Sequence, residues 1–361
     1  MADTLDKSSI GIKDIAKHAG VSTGPVDKIL NNRGGVSKAT EAKILQAIEE
    51  LGYKPNIFAS RLKSAKEYRI AVIIPAATHD IPYWGHHQQG FDAASSELQP
   101  YGIKLDMLPF SQNDVLSFKD AVSKAILGNF QGILMVPVFH QDTARLLNAA
   151  NRNNIPVVFF DSNISGLGQL SFIGQHSWDS GYTAAEIMDK CVPERSEILI
   201  ATIKKKDDNH LHFAKREAGF RAYFENKNHR QIMYENQVVD DNTIRQELCD
   251  IVESNPSLSG VFVTNDIHKL VRLLPAAAVD KLCLIGYDLI EENVDYLKKE
   301  HISFLISQQP QIQAYKGVKI LYEYLILKKK PSPEIFVPID IITPTNIKYY
   351  DTIELRDAVL F

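Results

Sequence analysis

From Ile10 to Leu51 apolar residues recur every three or four positions in three short runs. Ile12, Ile15, Ala16 and Ala19 form the inner face of a helix predicted over Lys13–His18. Gly20 turns the chain, and Ser22 stands where an N-cap is expected, ahead of Val26, Ile29 and Leu30 on the inner face of a second helix. The run Asn31–Gly35 breaks the period. Ser37 then caps a third helix predicted over Lys38–Leu51, whose Ile44, Leu45 and Ile48 complete a small core. Two short helices joined by a glycine turn make a helix-turn-helix, and the second of them normally enters the DNA major groove. This places a small all-α head at 1–54 and a hinge at 55–67.

From Tyr68 the period changes. Short β-branched or apolar runs at Arg69–Pro75, Lys104–Leu108, Gly132–Val136 and Pro156–Phe160 alternate with helical stretches at Tyr83–Leu98, Leu116–Leu127 and Asp142–Arg152. A second set of runs follows at Glu197–Thr202, Ile232–Val238, Gly260–Val263, Leu282–Ile285 and Phe304–Ile306. Helices are expected near Trp178–Cys191, Leu211–Glu225 and Thr243–Glu253. This order requires mainly parallel sheets with helices on both faces. The body is therefore two similar, doubly wound α/β lobes with a cleft between them.

Composition narrows the function classes. With 45% hydrophobic and 23% charged residues over 361 positions, the chain is an ordinary globular protein of two or three domains. No apolar run is long enough for a membrane span, and the polar start MADTLDKSS is no signal peptide, so a cytoplasmic protein is expected. Cys191, Cys249 and Cys283 are widely spaced and odd in number, which predicts buried reduced thiols. Residues 1–67 carry a net charge of +3 and the remainder −7, the polarity that phosphate binding at one end requires. No nucleophile elbow, phosphate-cradling loop or pair of catalytic carboxylates argues for an enzyme, and no cofactor is expected. His79, His86, His87 and His176 fall near the expected cleft mouth, where surface or ligand-contact roles suit them better than metal binding.

The head resembles the lactose-repressor family of bacterial transcription regulators, without gaps. The resemblance is carried by IKDIAKHAGVS, the VxKILNN run, the VS that opens the third helix, and EELGYKPN. The body looks like the periplasmic sugar-binding protein fold that forms the effector domain of that family, with ISQQPQIQAYKGVKIL closest to the ribose-type binding proteins. The resemblance implies lobe crossings near Gln175, near Gln309 and at Pro331–Pro333. An N-terminal lobe of 68–175 and 310–332 and a C-terminal lobe of 176–309 and 333–361 follow.

Ligands of open α/β sheets sit beyond the carboxyl ends of the strands. After the first strand, Tyr83 and Trp84 occupy the positions where sugar-binding relatives place two aromatic rings; the plainer alternative is that they cap the lobe core. Asp161 ends VVFFDS, where the family's carboxylate accepts ligand hydroxyl hydrogens. Ser162 replaces the arginine that ribose-type proteins carry beside it, and Ile81 replaces an asparagine, so the ligand need not be ribose. In the second lobe Arg216 matches the family's ligand-binding arginine. Asn265 and Asp266 close VFVTND, Tyr287 and Asp288 close LIGYD, and Gln308 lies in the ISQQP crossover. Asp266 alone could simply cap the next helix.

By the same resemblance Lys13, Ser22, Thr23, Gly24, Asp27, Lys28, Asn31 and Ser37 face DNA. Tyr53, Asn56, Ala59 and Leu62 belong to a hinge that folds on the operator, where paired leucines wedge into the minor groove. Asp27 stands where serine is usual; it either accepts from a cytosine amino group or pairs with Lys28 or Arg33. The final DTIELRDAVLF has no leucine heptad, which predicts a homodimer rather than a tetramer. Together these features predict a repressor that binds operator DNA and answers to a small sugar. The alternatives are a purine or phosphorylated-sugar effector, or a sugar-binding protein without specific DNA binding.

Overall fold

The computed structural model describes residues 11–30, 34–51, 67–112, 114–204, 211–237 and 241–350. The chain divides into two compact units, Met1–Ala65 and Lys66–Phe361. In the first, α1 (Ile12–Ala19), α2 (Thr23–Leu30) and α3 (Lys38–Glu50) pack around Ile15, Ala16, Val26, Ile44 and Ala47. Gly20 closes α1 in the left-handed region at φ 65°, a conformation that a side chain would strain. The Ser37 hydroxyl accepts the Thr40 N–H at 3.3 Å and starts α3. Leu45 does not join the core as its sequence pattern predicted, and it is 51% exposed. Adjacent helical residues point about 100° apart, and the inward stripe here runs through Ile44, Ala47, Ile48 and Leu51.

The second unit holds twelve strands among its described residues. In chain order they are β1 (Tyr68–Pro75), β2 (Ile103–Phe110), β3 (Gly132–Met135), β4 (Val157–Phe160), β5 (Ser171–Gly174), β6 (Glu197–Lys204), β7 (Arg230–Gln237), β8 (Leu258–Val263), β9 (Cys283–Tyr287), β10 (Phe304–Ser307), β11 (Glu334–Phe336) and β12 (Asp340–Ile342). They form two six-stranded sheets, ordered β2-β1-β3-β4-β5-β11 and β7-β6-β8-β9-β10-β12. The repeated order makes the lobes topological copies over their first five strands, and the edge strands β11 and β12 differ in direction. All described pairings between these strands are parallel except β10–β12.

Burial on both faces follows from the strands' period of two. Ile70, Val72 and Ile74 of β1 enter one core, beneath α4 (His87–Leu98) and α13 (Pro310–Leu325). Ala71 and Ile73 enter the other, beneath α5 (Val115–Leu127) and α6 (His140–Arg152). In the second lobe Phe262 faces α7 (Ser177–Cys191) and α8 (Leu211–Phe224). Val261 and Val263 face α9 (Asp241–Ser254), α10 (Ile267–Leu273) and α12 (Glu291–Lys298), the short α11 (Ala276–Val279) lying between the last two in sequence.

The chain passes between lobes after β5, after β10, and a third time between β11 and β12. That third crossing, at 338–339, lies later than the Pro331–Pro333 expected from sequence. Glu334–Phe336 pairs in parallel with β5, so this stretch stays in the first lobe's sheet. Two further expectations change. Cys191 is exposed rather than buried. Tyr83 and Trp84 lie on a 3-10 turn, Pro82–His86, ahead of the α-helix, because Pro82 opens the segment in a tight helical turn.

Helices α7 and α8 meet backbone to backbone. A Cβ on Gly181 would stand 1.9 Å from the Arg216 carbonyl oxygen, and one on Gly219 would stand 1.9 Å from that of Trp178. On an exposed helix, Gly→Ala stabilises by about 1 kcal/mol. Here the clash is with main chain, and overpacking of this kind costs about 1–3 kcal/mol. Gly181→Ala and Gly219→Ala are therefore expected to lower the urea midpoint at unchanged m-value; a midpoint at or above that of the wild type would contradict the contact.

Candidate functional site

Two sets of residues emerge, one in each unit. In the head, the turn at Gly20 presents the start of α2 to solvent. Ser22, Thr23, Gly24 and Lys28 are exposed there, as are Lys13 on α1 and Ser37 ahead of α3, while Asp27 is half-buried. Val26 faces inward at the same helical turn and fixes which side is outward. Asn31, and the hinge residues Tyr53, Asn56, Ala59 and Leu62, lie outside the described residues.

In the body, both lobes carry polar side chains at the carboxyl ends of their strands. Asp161 ends β4 in the left-handed region, φ 65°. Its N–H donates to the Ile173 carbonyl and to Gln313 Oε1, so the strand end is tied to α13. Tyr83 donates its hydroxyl to Asp161 Oδ1 at 2.6 Å, and Ser162 donates to Oδ2 at 3.0 Å. Trp84 departs from expectation. It is 7% exposed, belongs to the lobe core, lies parallel to His87 at 5.3 Å, and donates Nε1–H to Gln112. Tyr83, edge-on to both rings, is thus the aromatic that reaches the polar set. His87, expected near the surface, is fully buried, and burial pushes its imidazole down to about 3, so it packs as a neutral ring.

The second lobe contributes a linked chain of donors and acceptors. Arg216, on α8, is 2% exposed. Its guanidinium lies 3.6 Å from the centre of the Tyr287 ring and donates to the Thr264 carbonyl at 2.7 Å and to Gln308 Oε1 at 2.5 Å. Its Nε has no hydrogen-bond partner among the described residues. Gln308 passes the chain on, donating to Asp288 Oδ1 at 2.7 Å. Tyr287 shares a 2.9 Å hydrogen bond with Ser180, and burial pushes its hydroxyl up to about 12. Asn265 does not join this group. Its amide both donates to and accepts from the Ile203 backbone, tying the end of β8 to β6. Asp266 makes no side-chain cap on α10 and pairs instead with Lys269 at 2.8 Å.

The two lobes share one electrostatic field. Burial pushes the Asp288 carboxyl up to about 7; Asp161 of the other lobe and Asp266 raise it further, while Arg216 and Gln308 hold it down. The Tyr83 hydroxyl is likewise pushed up by burial and then by Asp161 and Asp288, against Arg216. Two carboxylates, one guanidinium and an amide that can both donate and accept thus converge from opposite lobes. Such a set suits a neutral molecule with many hydroxyl groups. The sequence pattern does not single out Gln313, marks Gln175 only as a crossing, and gives His87 a surface or ligand-contact role that its burial does not fit. Their signals were slight: Gln313 lies one helical turn beyond Gln309, and His87 follows Trp84 by three.

Glutamines also knit the crossings. Gln175 Nε2 donates to the Ser307 carbonyl, Gln313 Nε2 to the Gln308 carbonyl, and Gln309 Nε2 to Asp340 Oδ2. The first two crossings and β12 are therefore joined by side-chain amides around the cleft. No group of three or more possible metal ligands gathers among the described residues, and no described helix is long and apolar enough to cross a membrane.

Comparison with known proteins places both units. Residues 70–330 match the periplasmic binding protein domain, and residues 11–56 match the bacterial regulatory proteins of the lacI family. The body thus belongs to the periplasmic binding protein domain family, and the head matches the lacI regulatory family. Among curated relatives, the transcriptional repressor PurR of Pasteurella multocida is 33% identical over 178 residues, 49% of this chain and 51% of that protein. The sucrose operon repressor of Streptococcus mutans is 24% identical over 79% of this chain and 85% of its own length. The chain spans about half the length of the first curated relatives it matches. A solved structure of a LacI-type regulator from Bacteroides fragilis, itself described as putative, shares 29% identity with a TM-score of 0.69, covering 79% of this chain and all of that one.

The raised Asp288 carboxyl has a stability consequence. A carboxyl whose folded value lies near 7, against an ordinary 3.8, binds its proton more tightly when folded. Its contribution is full below about 3.8 and is lost as pH rises through about 7. Relative to Asp288→Asn, the wild-type melting temperature is expected to fall across that window and level off above it. A difference that stays flat from acid to neutral pH would show that Asp288 is solvated.

Proposed function

We propose that the chain is a transcription repressor that binds operator DNA through its head and a small sugar in the cleft of its body. The reading is carried by one observation: a lacI-type helix-turn-helix and a binding-protein body stand in a single chain, with an acceptor-rich set at the strand ends of the body. Asp161 and Asp288 accept sugar hydroxyls, Arg216 and Gln308 donate, and Tyr83 offers an aromatic face. A relative named as the sucrose operon repressor supports a carbohydrate effector.

In this mechanism the ligand acts on the relation between lobes. A molecule that bonds Asp161 on one side and Asp288 on the other favours the closed state by its differential affinity for it. In a dimer, the lobe shift reaches the hinge segments, in which the family resemblance gives Leu62 the role of wedging between base pairs. On the DNA, Thr23, Gly24 and Lys28 of the recognition helix, together with Asn31, meet the bases, while Lys13 and Ser37 meet phosphate.

The test is binding of the full chain to the DNA upstream of its own gene, measured against salt. Affinity should fall linearly on a log–log plot with a slope set by the phosphates neutralised, and random DNA should bind more weakly. Equal affinity for both DNAs would leave a sugar-binding protein without operator specificity. Asp288→Ala should weaken the effector at least tenfold, since a hydrogen bond to a charged group is worth about 1.5–3 kcal/mol, and leave effector-free DNA binding intact. Unchanged effector affinity in that variant would remove Asp288 from the site.

A further inference from the structure

Beyond Asp161 the cleft opens into a cavity of about 380 Å³, walled by residues of both lobes. Small-molecule sites typically span roughly 300–1,000 Å³. Two rings in its wall stay in contact with solvent: Trp178 is 38% exposed and Phe336 is 45% exposed. Among the described residues the large exposed hydrophobics include three aromatics, these two and Tyr349. Two of the three thus share one cavity.

Neither ring is loosely placed. Trp178 stacks on Tyr182 at 5.2 Å with 22° between planes, and Phe336 is held edge-on by Phe172 and His176. Their backbones are equally fixed: Trp178 lies in the close approach of α7 to α8, and Phe336 pairs with Gly174 in the first sheet. The rest of the wall includes the carboxylates of Asp161 and Glu334 and the amide of Gln175. Aromatic faces beside several hydroxyl acceptors match the C–H face and hydroxyl rim of a sugar ring. A nucleobase has the flat face but few hydrogens to give two carboxylates.

We propose that this cavity is a second sugar subsite, so that the effector is a disaccharide or longer glycan. Its inner ring meets Tyr83, Asp161 and Asp288, and its outer ring packs on Trp178 and Phe336. The inference rests on the reading of the cleft as a saccharide site, and the test separates the two.

Calorimetry and thermal shift on the full chain would compare sucrose, maltose, lactose, cellobiose and trehalose with their component monosaccharides, and with hypoxanthine and guanine. At least one disaccharide is expected to bind tenfold or more tighter than either component. Trp178→Ala and Phe336→Ser should each weaken that disaccharide at least fivefold and leave monosaccharide affinity within twofold. Both side chains are exposed, and the unliganded melting temperature of each variant verifies its fold. Monosaccharides that bind as tightly as every disaccharide, or variants that weaken both alike, would overturn the subsite and leave the saccharide reading standing. No response to any saccharide, whether or not a nucleobase binds, would overturn that reading and the subsite with it.

Discussion

A guanidinium almost wholly removed from water sets the terms for the second lobe. Burying an unpaired charge is among the most expensive acts in folding, so the Arg216 guanidinium needs close partners. It is answered by a backbone carbonyl, by the face of Tyr287 and by Gln308, which in turn holds Asp288. Each partner sits at the end of a different element: Thr264 after β8, Tyr287 and Asp288 at and after β9, Gln308 after β10. The charge therefore orders three strand ends at once, and the close approach of α7 and α8 at Gly181 and Gly219 brings the arginine to them.

The same residues couple the site to lobe geometry. Gln308 stands at a crossing, so the group that positions Asp288 also belongs to the segment about which the lobes would turn. Gln313 bonds both the Gln308 carbonyl and the Asp161 N–H. A ligand that reorganises either carboxylate thus pulls on the crossing itself. This is a short physical route from a hydroxyl contact to a change in lobe angle, and it requires no distant relay.

Much of this was legible in the chain because it follows from period and strand ends. The alternation in RIAVIIP assigns Ile70 and Val72 to one core and Ala71 and Ile73 to the other, and Gly20 marks its turn because a side chain is disfavoured there. Asp161, Asp288 and Gln308 could be picked out because polar residues after apolar runs lie at sheet ends, whereas Arg216, within α8, stood out only through the resemblance. The misses have a common cause: they depend on which of two available neighbours a side chain finds in three dimensions. Trp84 met His87 and Gln112 and went into the core, and Asn265 met the Ile203 backbone. Leu45 lost its place to Ala47, whose small side chain lets the helices of the head approach. The third crossing was misplaced because three residues, Glu334–Phe336, are too few to show a strand period.

The most direct measurement is the crystal structure of the full chain with its tightest-binding saccharide. Ligand hydroxyls are expected within hydrogen-bond distance of Asp161 from one lobe and of Arg216 or Asp288 from the other, with Tyr83 against a ring face. A ligand held by one lobe alone, or bound away from Asp161 and Asp288 while their present hydrogen bonds persist, would contradict this arrangement.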